Sequence, residues 1–324
     1  MRILVTGGAG YIGSHVVHEL LAGGHEVVVY DNLSTGHAWA VGEASLVVAD
    51  LADRETLASV LREGFDAVMH FAAHIVVPES IADPLRYYAN NTGNTLGLLT
   101  EVTAAGVPQF VFSSTAAVYG IPETELVSED TPLAPINPYG ASKMMSERML
   151  MDAAAASSLR YGILRYFNVA GAHPDGHIGQ ATPAATHLIK VACQTALGRR
   201  PSLSVFGTDY ATPDGTCVRD YIHVVDLARA HVQLLDHLAA GGDSRVYNCG
   251  YGHGSSVREV VDTVRRVHGA PFEVEEAPRR AGDPPALVAD STRLRRELGW
   301  TPAFDDLETI VRHAYQWESR YEGE

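Results

Sequence analysis

Arg2-Ile3-Leu4-Val5-Thr6-Gly7-Gly8-Ala9-Gly10-Tyr11-Ile12-Gly13 decides the fold of this chain. Residues 2–6 are a short apolar β-run, and a helical pattern from Ser14 to Ala22 follows the glycines until Gly23-Gly24 ends it. Glu26-Val27-Val28-Val29-Tyr30 reads as the next strand, closed by Asp31. Strand, glycine loop, helix, strand and acid form a dinucleotide-binding fingerprint. The glycines allow a tight turn and close backbone approach to a pyrophosphate, which sits against the positive helix N-terminus. Asp31, eighteen residues past Gly13, can accept a hydrogen bond from a ribose 2′-OH and would repel a 2′-phosphate, so NAD is expected rather than NADP.

The alternation continues. Ala44–Ala49 is a third strand ending at Asp50-Leu51, a pair well placed beside an adenine ring, and Arg54–Arg62 is a helix. Ala67–Phe71 is a fourth strand running into Ala72-Ala73, small residues that let a cofactor lie flat; His70 and His74 are expected to be packed or solvated. Pro84–Ala105 is a long helical pattern carrying Asn91, and Gln109–Ser113 is a fifth strand. Five alternations predict an α/β, Rossmann-type, doubly wound parallel sheet with ligands at the strand C-termini. Leu159–Phe167 is a sixth strand.

Ser113-Ser114-Thr115 lies at the edge where ligands should sit, and Asn137-Pro138-Tyr139-Gly140-Ala141-Ser142-Lys143 opens a helix. Pro138 suits the first turn and Asn137 can cap it. Tyr139 and Lys143, four apart, share a helix face. A cation beside a phenol lowers its pKa from about 10, giving a general base for a sugar hydroxyl. A Thr115 hydroxyl could hydrogen-bond the same oxygen.

After Asn168 the character changes: Gly171–Pro183 is dense in Gly, Pro and His and starts a second, smaller, mixed α/β domain. The expected division is 1–167 with a return of about 219–248 for the cofactor, and 168–218 with 249–324 for the substrate. Arg219, Arg279 and Arg280 are candidates for a diphosphate. A net charge of −15 argues against nucleic acid or an anionic membrane as partner. No apolar run approaches the ~20 residues of a membrane span, and residues 1–6 turn into glycines too soon for a signal peptide, so a cytoplasmic enzyme is expected. Cys193, Cys217 and Cys249 are too few and too scattered for disulfides or zinc, and no histidine spacing is read as converging with carboxylates, so no metal is expected.

Together, Gly7-x-x-Gly10-x-x-Gly13, Asp31-Asn32 and Tyr139-x-x-x-Lys143 resemble the extended short-chain dehydrogenase/reductase family. VTGGAGYIGSH (5–15), HFAAH (70–74), PLRYYANN (84–91), LRYFNVAGAHPDG (164–176) and VFGTDYATPDGTCVRDYIHV (205–224) look more narrowly like its UDP-galactose 4-epimerase group. The resemblance implies reversible 4-epimerisation of a nucleotide sugar, most specifically UDP-galactose/UDP-glucose, through a 4-keto intermediate, by a homodimer with tightly held NAD. It assigns catalysis to Tyr139, Lys143 and Thr115. Cofactor contacts fall on Gly7, Gly10, Tyr11, Ile12, Gly13, Asp31, Asn32, Asp50, Leu51, Phe71, Ala72, Ala73, Asn91, Ser113 and Tyr166 as well as Tyr139 and Lys143. Substrate contacts fall on Asn168, His187, Leu188, Phe206, Arg219, Arg280, Asp283 and Leu287, with Thr115 and Tyr139.

There are departures from the family pattern. Thr115 stands where Ser is frequent, Ile75 where Lys is frequent, and His187 where an Asn contacts the diphosphate. Leu287 replaces a Tyr that closes the sugar pocket in hexose-specific relatives, which would leave room for an N-acetyl group at carbon 2. Three rivals can be weighed on residue grounds, and one stays open. A 4,6-dehydratase needs an Asp-Glu pair after the Thr, where this chain has Ala116-Ala117. A non-catalytic NAD sensor has no reason to keep Thr115, Tyr139 and Lys143 together. A 4-epimerase of another nucleotide sugar, such as a dTDP-hexose, differs only in base-recognising loops and stays open.

Overall fold

The computed structural model describes residues 1–182, 185–280 and 282–321. Pro183, the end of the Gly-, Pro- and His-rich segment, and Ala281, beside Arg280, lie outside the described residues. The chain folds as two compact units: Met1–Gly120, Pro132–Arg165 and Ala228–Tyr247 form one, and Ile121–Thr131, Tyr166–Leu227 and Asn248–Glu324 form the other.

The first unit is built on a seven-stranded sheet: β1 (Arg2–Thr6), β2 (Glu26–Asp31), β3 (Ser45–Val48), β4 (Ala67–His70), β5 (Gln109–Thr115), β6 (Arg160–Tyr166) and β7 (Arg245–Cys249). Their order is β7-β6-β5-β4-β1-β2-β3. β1 pairs in parallel with both β2 and β4, so the winding reverses on either side of β1. That reversal is where a doubly wound sheet opens a crevice for ligands. Ile3, Leu4 and Val5 are wholly buried, as the near-continuous apolar run of a two-sided parallel strand requires. Leu4, Val28, Val68, Phe110 and Ile163 from the strands pack with Leu57, Leu61, Leu98 and Leu150 from the helices in one core.

Two helices carry the functional segments. Pro138–Ala155 begins as the sequence predicts, with Pro138 in its first turn and the Asn137 side chain accepting from the Gly140 N–H at 2.8 Å. The predicted continuous helix over Pro84–Ala105 is instead Pro84–Tyr87, a π-helical turn at Tyr88–Gly93, and Asn94–Ala104. Within the wide turn the side chain of Asn91 fastens to the backbone of His74 and also accepts from Asn90 Nδ2 at 3.0 Å.

The second unit holds a four-stranded sheet in the order Ser255–Ser256, Val218–Arg219, Ala286–Ala289, Leu126–Val127, and two two-stranded sheets. Ile121–Thr131 joins this unit because Leu126–Val127 pairs in parallel with Val288–Ala289. Asp220 is its fully buried anchor. Its carboxylate accepts the N–H groups of Tyr251, Gly252 and Ala289 at 2.9, 3.0 and 3.2 Å, and burial still pushes its pKa up against those bonds.

Candidate active site

The end of β5 and the first two turns of the Pro138–Ala155 helix bring three predicted groups together. Tyr139, Lys143 and Thr115 are all buried. The Thr115 hydroxyl hydrogen-bonds the Tyr139 phenol, and the Ala117 N–H donates to Thr115 Oγ1 at 3.1 Å, which fixes the hydroxyl's place. Lys143 Nζ donates to the Ser113 carbonyl at 2.8 Å and stands 4.8 Å from the centre of the Phe112 ring.

Electrostatics differ from the sequence expectation. Burial raises the Tyr139 pKa, with the Thr115 hydrogen bond working against it, and burial lowers Lys143 to about 7, opposed by Glu147. An enclosed site favours both neutral forms, so desolvation outweighs the cation–phenol attraction. The folded chain therefore binds fewer protons at Lys143 than the unfolded chain from about pH 7 up to the ordinary 10.5. Stability rises with pH where the unfolded state binds more protons. Measured by urea unfolding without ligands, the wild type is expected to gain on Lys143→Met as pH rises through that window, by at most ~1.4 kcal/mol per pH unit. A difference flat across the window would show that Lys143 is not desolvated.

One turn beyond Lys143, Glu147 ties the helix down. Its carboxylate accepts from Ser114 Oγ at 2.5 Å and from Arg165 Nε and Nη2 at 3.0 and 2.6 Å, and Arg165 Nη1 donates to the Tyr119 hydroxyl at 3.1 Å. All of these side chains are buried. The network locks β5, β6 and the helix in one register, so Thr115 and Tyr139 are positioned from beneath.

A dinucleotide cradle lies at the C-terminal ends of β1, β2 and β4. Gly7 has φ +72°, and a Cβ there would fall 2.4 Å from the Ala72 nitrogen; a Cβ on Gly13 would fall 2.2 Å from the Gly7 carbonyl oxygen. A Cβ on Gly10 would meet only the Gly7 oxygen at 3.3 Å, so its outer side is open for an approaching diphosphate. Tyr11 and Ile12, the first residues of helix Tyr11–Ala22, are half-buried. Asp31 accepts from the N–H groups of Ala9 at 3.0 Å and Leu33 at 2.8 Å. Asn32 donates to Asp50 at 2.7 Å, and Leu51 beside it is buried. Phe71, Ala72 and Ala73 continue from β4, half-buried. These residues fit a dinucleotide: open backbone where the diphosphate would lie, and carboxylates at the ribose end.

Asn91, assigned a cofactor contact by resemblance, uses its side chain on the protein. It accepts from the His74 N–H at 2.8 Å and donates to the His74 carbonyl at 2.9 Å and Ser142 Oγ at 3.0 Å, pinning the segment after β4 to the Tyr–Lys helix. His70 is packed as expected, between the hydroxyls of Thr6 and Thr95 at 2.6 and 2.9 Å, and burial lowers its pKa to about 3.

Within the second unit, Asn168, His187 and Leu188 line one cavity with Gln180, Lys190 and Tyr221. Lys190 is neutralised by Glu318 at 2.7 Å. The Gln180 side-chain amide bonds His187 Nδ1 at 2.8 Å, and burial next to Lys190 lowers the His187 pKa, so the ring is neutral with its proton on Nε2. Phe206, Arg219, Arg280, Asp283 and Leu287 form a second cluster. The Arg280 guanidinium lies 4.7 Å over the Phe206 ring and bonds Asp283 at 3.1 Å, Arg219 stands 3.7 Å from the same carboxylate, and Leu287 pairs with Arg219 across the sheet. Arg279 does not join it: it bonds Asp209 at 2.7 Å and lies over Tyr210, a local pairing that leaves two of the three expected cations in the cluster. Tyr166, at the end of β6, is half-buried.

The model of the NAD dependent epimerase/dehydratase family matches residues 3–250. The chain belongs to this family. Its relatives narrow the reading: a UDP-glucose 4-epimerase of Azospirillum brasilense is 60% identical over 323 residues, spanning 99% of this chain and 93% of its own. The crystal structure of a UDP-glucose 4-epimerase from Brucella ovis in complex with NAD superposes with a TM-score of 0.95 at 46% identity, over 97% of each chain. A UDP-Glc/GlcNAc 4-epimerase of Campylobacter jejuni superposes at 0.87 with 50% identity, over 98% of this chain and 99% of that one. No helix among the described residues is long and apolar enough to cross a membrane.

Two features of this family member escape the sequence reading. The Glu147–Arg165 pair is invisible at eighteen residues' separation, because only the sheet brings β6 beside the helix. The other corrects the expectation of no histidine–carboxylate convergence: His173, Asp175 and His177 present ligand atoms within 4.8 Å of one another. The spacing His173-x-x-x-His177 around an Asp was the available signal.

Proposed function

We propose that this chain catalyses the reversible NAD-dependent 4-epimerisation of UDP-glucose and UDP-galactose through a 4-keto intermediate. The observation that carries it is the buried Thr115–Tyr139–Lys143 constellation at the end of β5, in a chain with an open glycine cradle. In this reading residues 1–167 with a return of about 219–248 hold NAD, and 168–218 with 249–324 hold the nucleotide sugar. Tyr139, having first given up its own phenolic proton, takes the proton of the sugar 4-hydroxyl as the phenolate; Thr115 orients that oxygen, and Lys143 holds the nicotinamide ribose. NAD held in the glycine cradle would supply the hydride acceptor, and then the hydride donor, for carbon 4. Tyr139 gives its proton back to the 4-oxygen in that second half, so no external reductant is consumed. Asn168, His187 and Leu188, with Arg219, Arg280 and Asp283, contact the nucleotide diphosphate and sugar. The pair Ala116-Ala117 offers neither acid nor base for elimination of water, which leaves epimerisation as the chemistry.

Purified protein incubated with UDP-galactose and no added cofactor is expected to yield UDP-glucose. Failure even with NAD⁺ added, together with turnover of a dTDP-hexose, would move the assignment to another nucleotide sugar.

A second reading concerns the hexose. Leu287 is half-buried and smaller than the Tyr of hexose-specific relatives, leaving room for an N-acetyl group. Leu287→Tyr is expected to lower kcat/KM for UDP-N-acetylglucosamine relative to UDP-glucose by about 10-fold or more. An unchanged ratio would remove Leu287 as the determinant.

A cytoplasmic homodimer completes the proposal. Leu96 on the Asn94–Ala104 helix and Met145 on the Tyr–Lys helix are exposed apolar residues, as are Ile81 and Leu85 nearby in sequence. Sedimentation is expected to give twice the 34.8 kDa chain mass; a monomer at micromolar concentration would refute the dimer.

A further inference from the structure

The geometry points to a transition-metal site on the hairpin that carries His173, Asp175 and His177. Ala172 bridges Gly179 in antiparallel fashion, the His173 N–H donates to the Ile178 carbonyl at 3.0 Å, and the Gly176 N–H donates to the His173 carbonyl at 2.8 Å. Gly176 has φ +71°, which lets the chain reverse within this short loop. The reversal brings the two imidazoles together, ring centres 4.0 Å apart and planes inclined at 54°, and leaves the Asp175 carboxylate 3.7 Å from His173 Nδ1. The three ligand atoms lie within 4.8 Å of one another. Two ligands bonded tetrahedrally at about 2.1 Å stand about 3.4 Å apart, so the widest pair would have to close by up to about 1.4 Å. Asp175 and His177 are exposed side chains of the turn, while His173 is half-buried and fixes the site to the hairpin arm.

Chemistry narrows the ion. Two imidazoles and one carboxylate suit a borderline divalent metal of the zinc, nickel and copper group, with water completing the coordination. A hard cation such as Ca²⁺ or Mg²⁺ needs several oxygen ligands, and here there is one carboxylate. The Arg320 guanidinium also lies against the turn, 2.8 Å from where a Gly176 Cβ would be. A cation beside it must be held by ligand bonds rather than by the general negative field of the chain. The site uses no residue assigned to the epimerase machinery, and this inference does not rest on the proposed function.

The full chain, freed of metal, is titrated calorimetrically with Zn²⁺ and, separately, with Cu²⁺ under paramagnetic resonance. A single Zn²⁺ per chain and a Cu²⁺ signal split by two imidazole nitrogens are expected, with Cu²⁺ the tighter ion. His177→Ala is expected to weaken Zn²⁺ by at least about 10-fold, since even an outer partner of a ligand is worth that much, and to reduce the nitrogen splitting to one. Asp175→Asn, which keeps the turn, is expected to weaken Zn²⁺ and retain both nitrogens. Retained melting temperature and epimerase activity in both variants would show that the hairpin is intact. No binding up to millimolar Zn²⁺, or binding unchanged in His177→Ala, overturns the site.

Discussion

Tyr139→Phe is expected to lower kcat for interconversion of UDP-galactose and UDP-glucose by about 10³-fold, in the middle of the range for a positioned general acid–base. The variant keeps the ring in its buried slot and removes only the oxygen that Thr115 hydrogen-bonds. The melting temperature should therefore move little, and KM less than kcat. Thr115→Val is expected to lose less, because it misorients the reacting oxygen without removing the proton acceptor. Steady-state kinetics with both variants separate the roles. A Phe variant within a few-fold of wild type would take the base away from Tyr139.

Glu147→Ala is the substitution expected to cost most stability. It leaves the Arg165 guanidinium buried without its carboxylate, and breaking a buried ion pair from one side costs about 3–5 kcal/mol. The Ser114 hydroxyl loses its acceptor as well. Because Glu147 is one turn past Lys143, the loss should reach activity through misplacement of Tyr139 rather than through chemistry. The paired change Glu147→Leu with Arg165→Met removes both charges and is expected to recover much of the stability, since the desolvation cost disappears with them. Thermal unfolding of the two single variants and the double variant tests this. A Glu147→Ala variant that melts with wild type would show that Arg165 finds water.

Much of the fold is written in local pattern. The buried run Ile3-Leu4-Val5 and the glycines after it fix a parallel strand, a tight turn and a helix start within a dozen residues, and each of those choices depends on near neighbours. The cap at Asn137 and the shared face of Tyr139 and Lys143 are likewise local, because helix geometry sets them four residues apart. The π turn at Tyr88–Gly93 is not, since what favours it is a bond from Asn91 to the backbone of His74, seventeen positions away.

Sequence by itself determined the doubly wound sheet, the glycine cradle and the identity of the Thr–Tyr–Lys group, because short-range steric and hydrogen-bonding rules select them. Only the tertiary structure decided their protonation, since desolvation depends on everything that encloses a group: it turned an expected lowered phenol into a raised one and brought Lys143 to about 7. It also decided which charges pair. Glu147 met Arg165 and Arg279 went to Asp209, each through backbone paths that residue spacing does not specify.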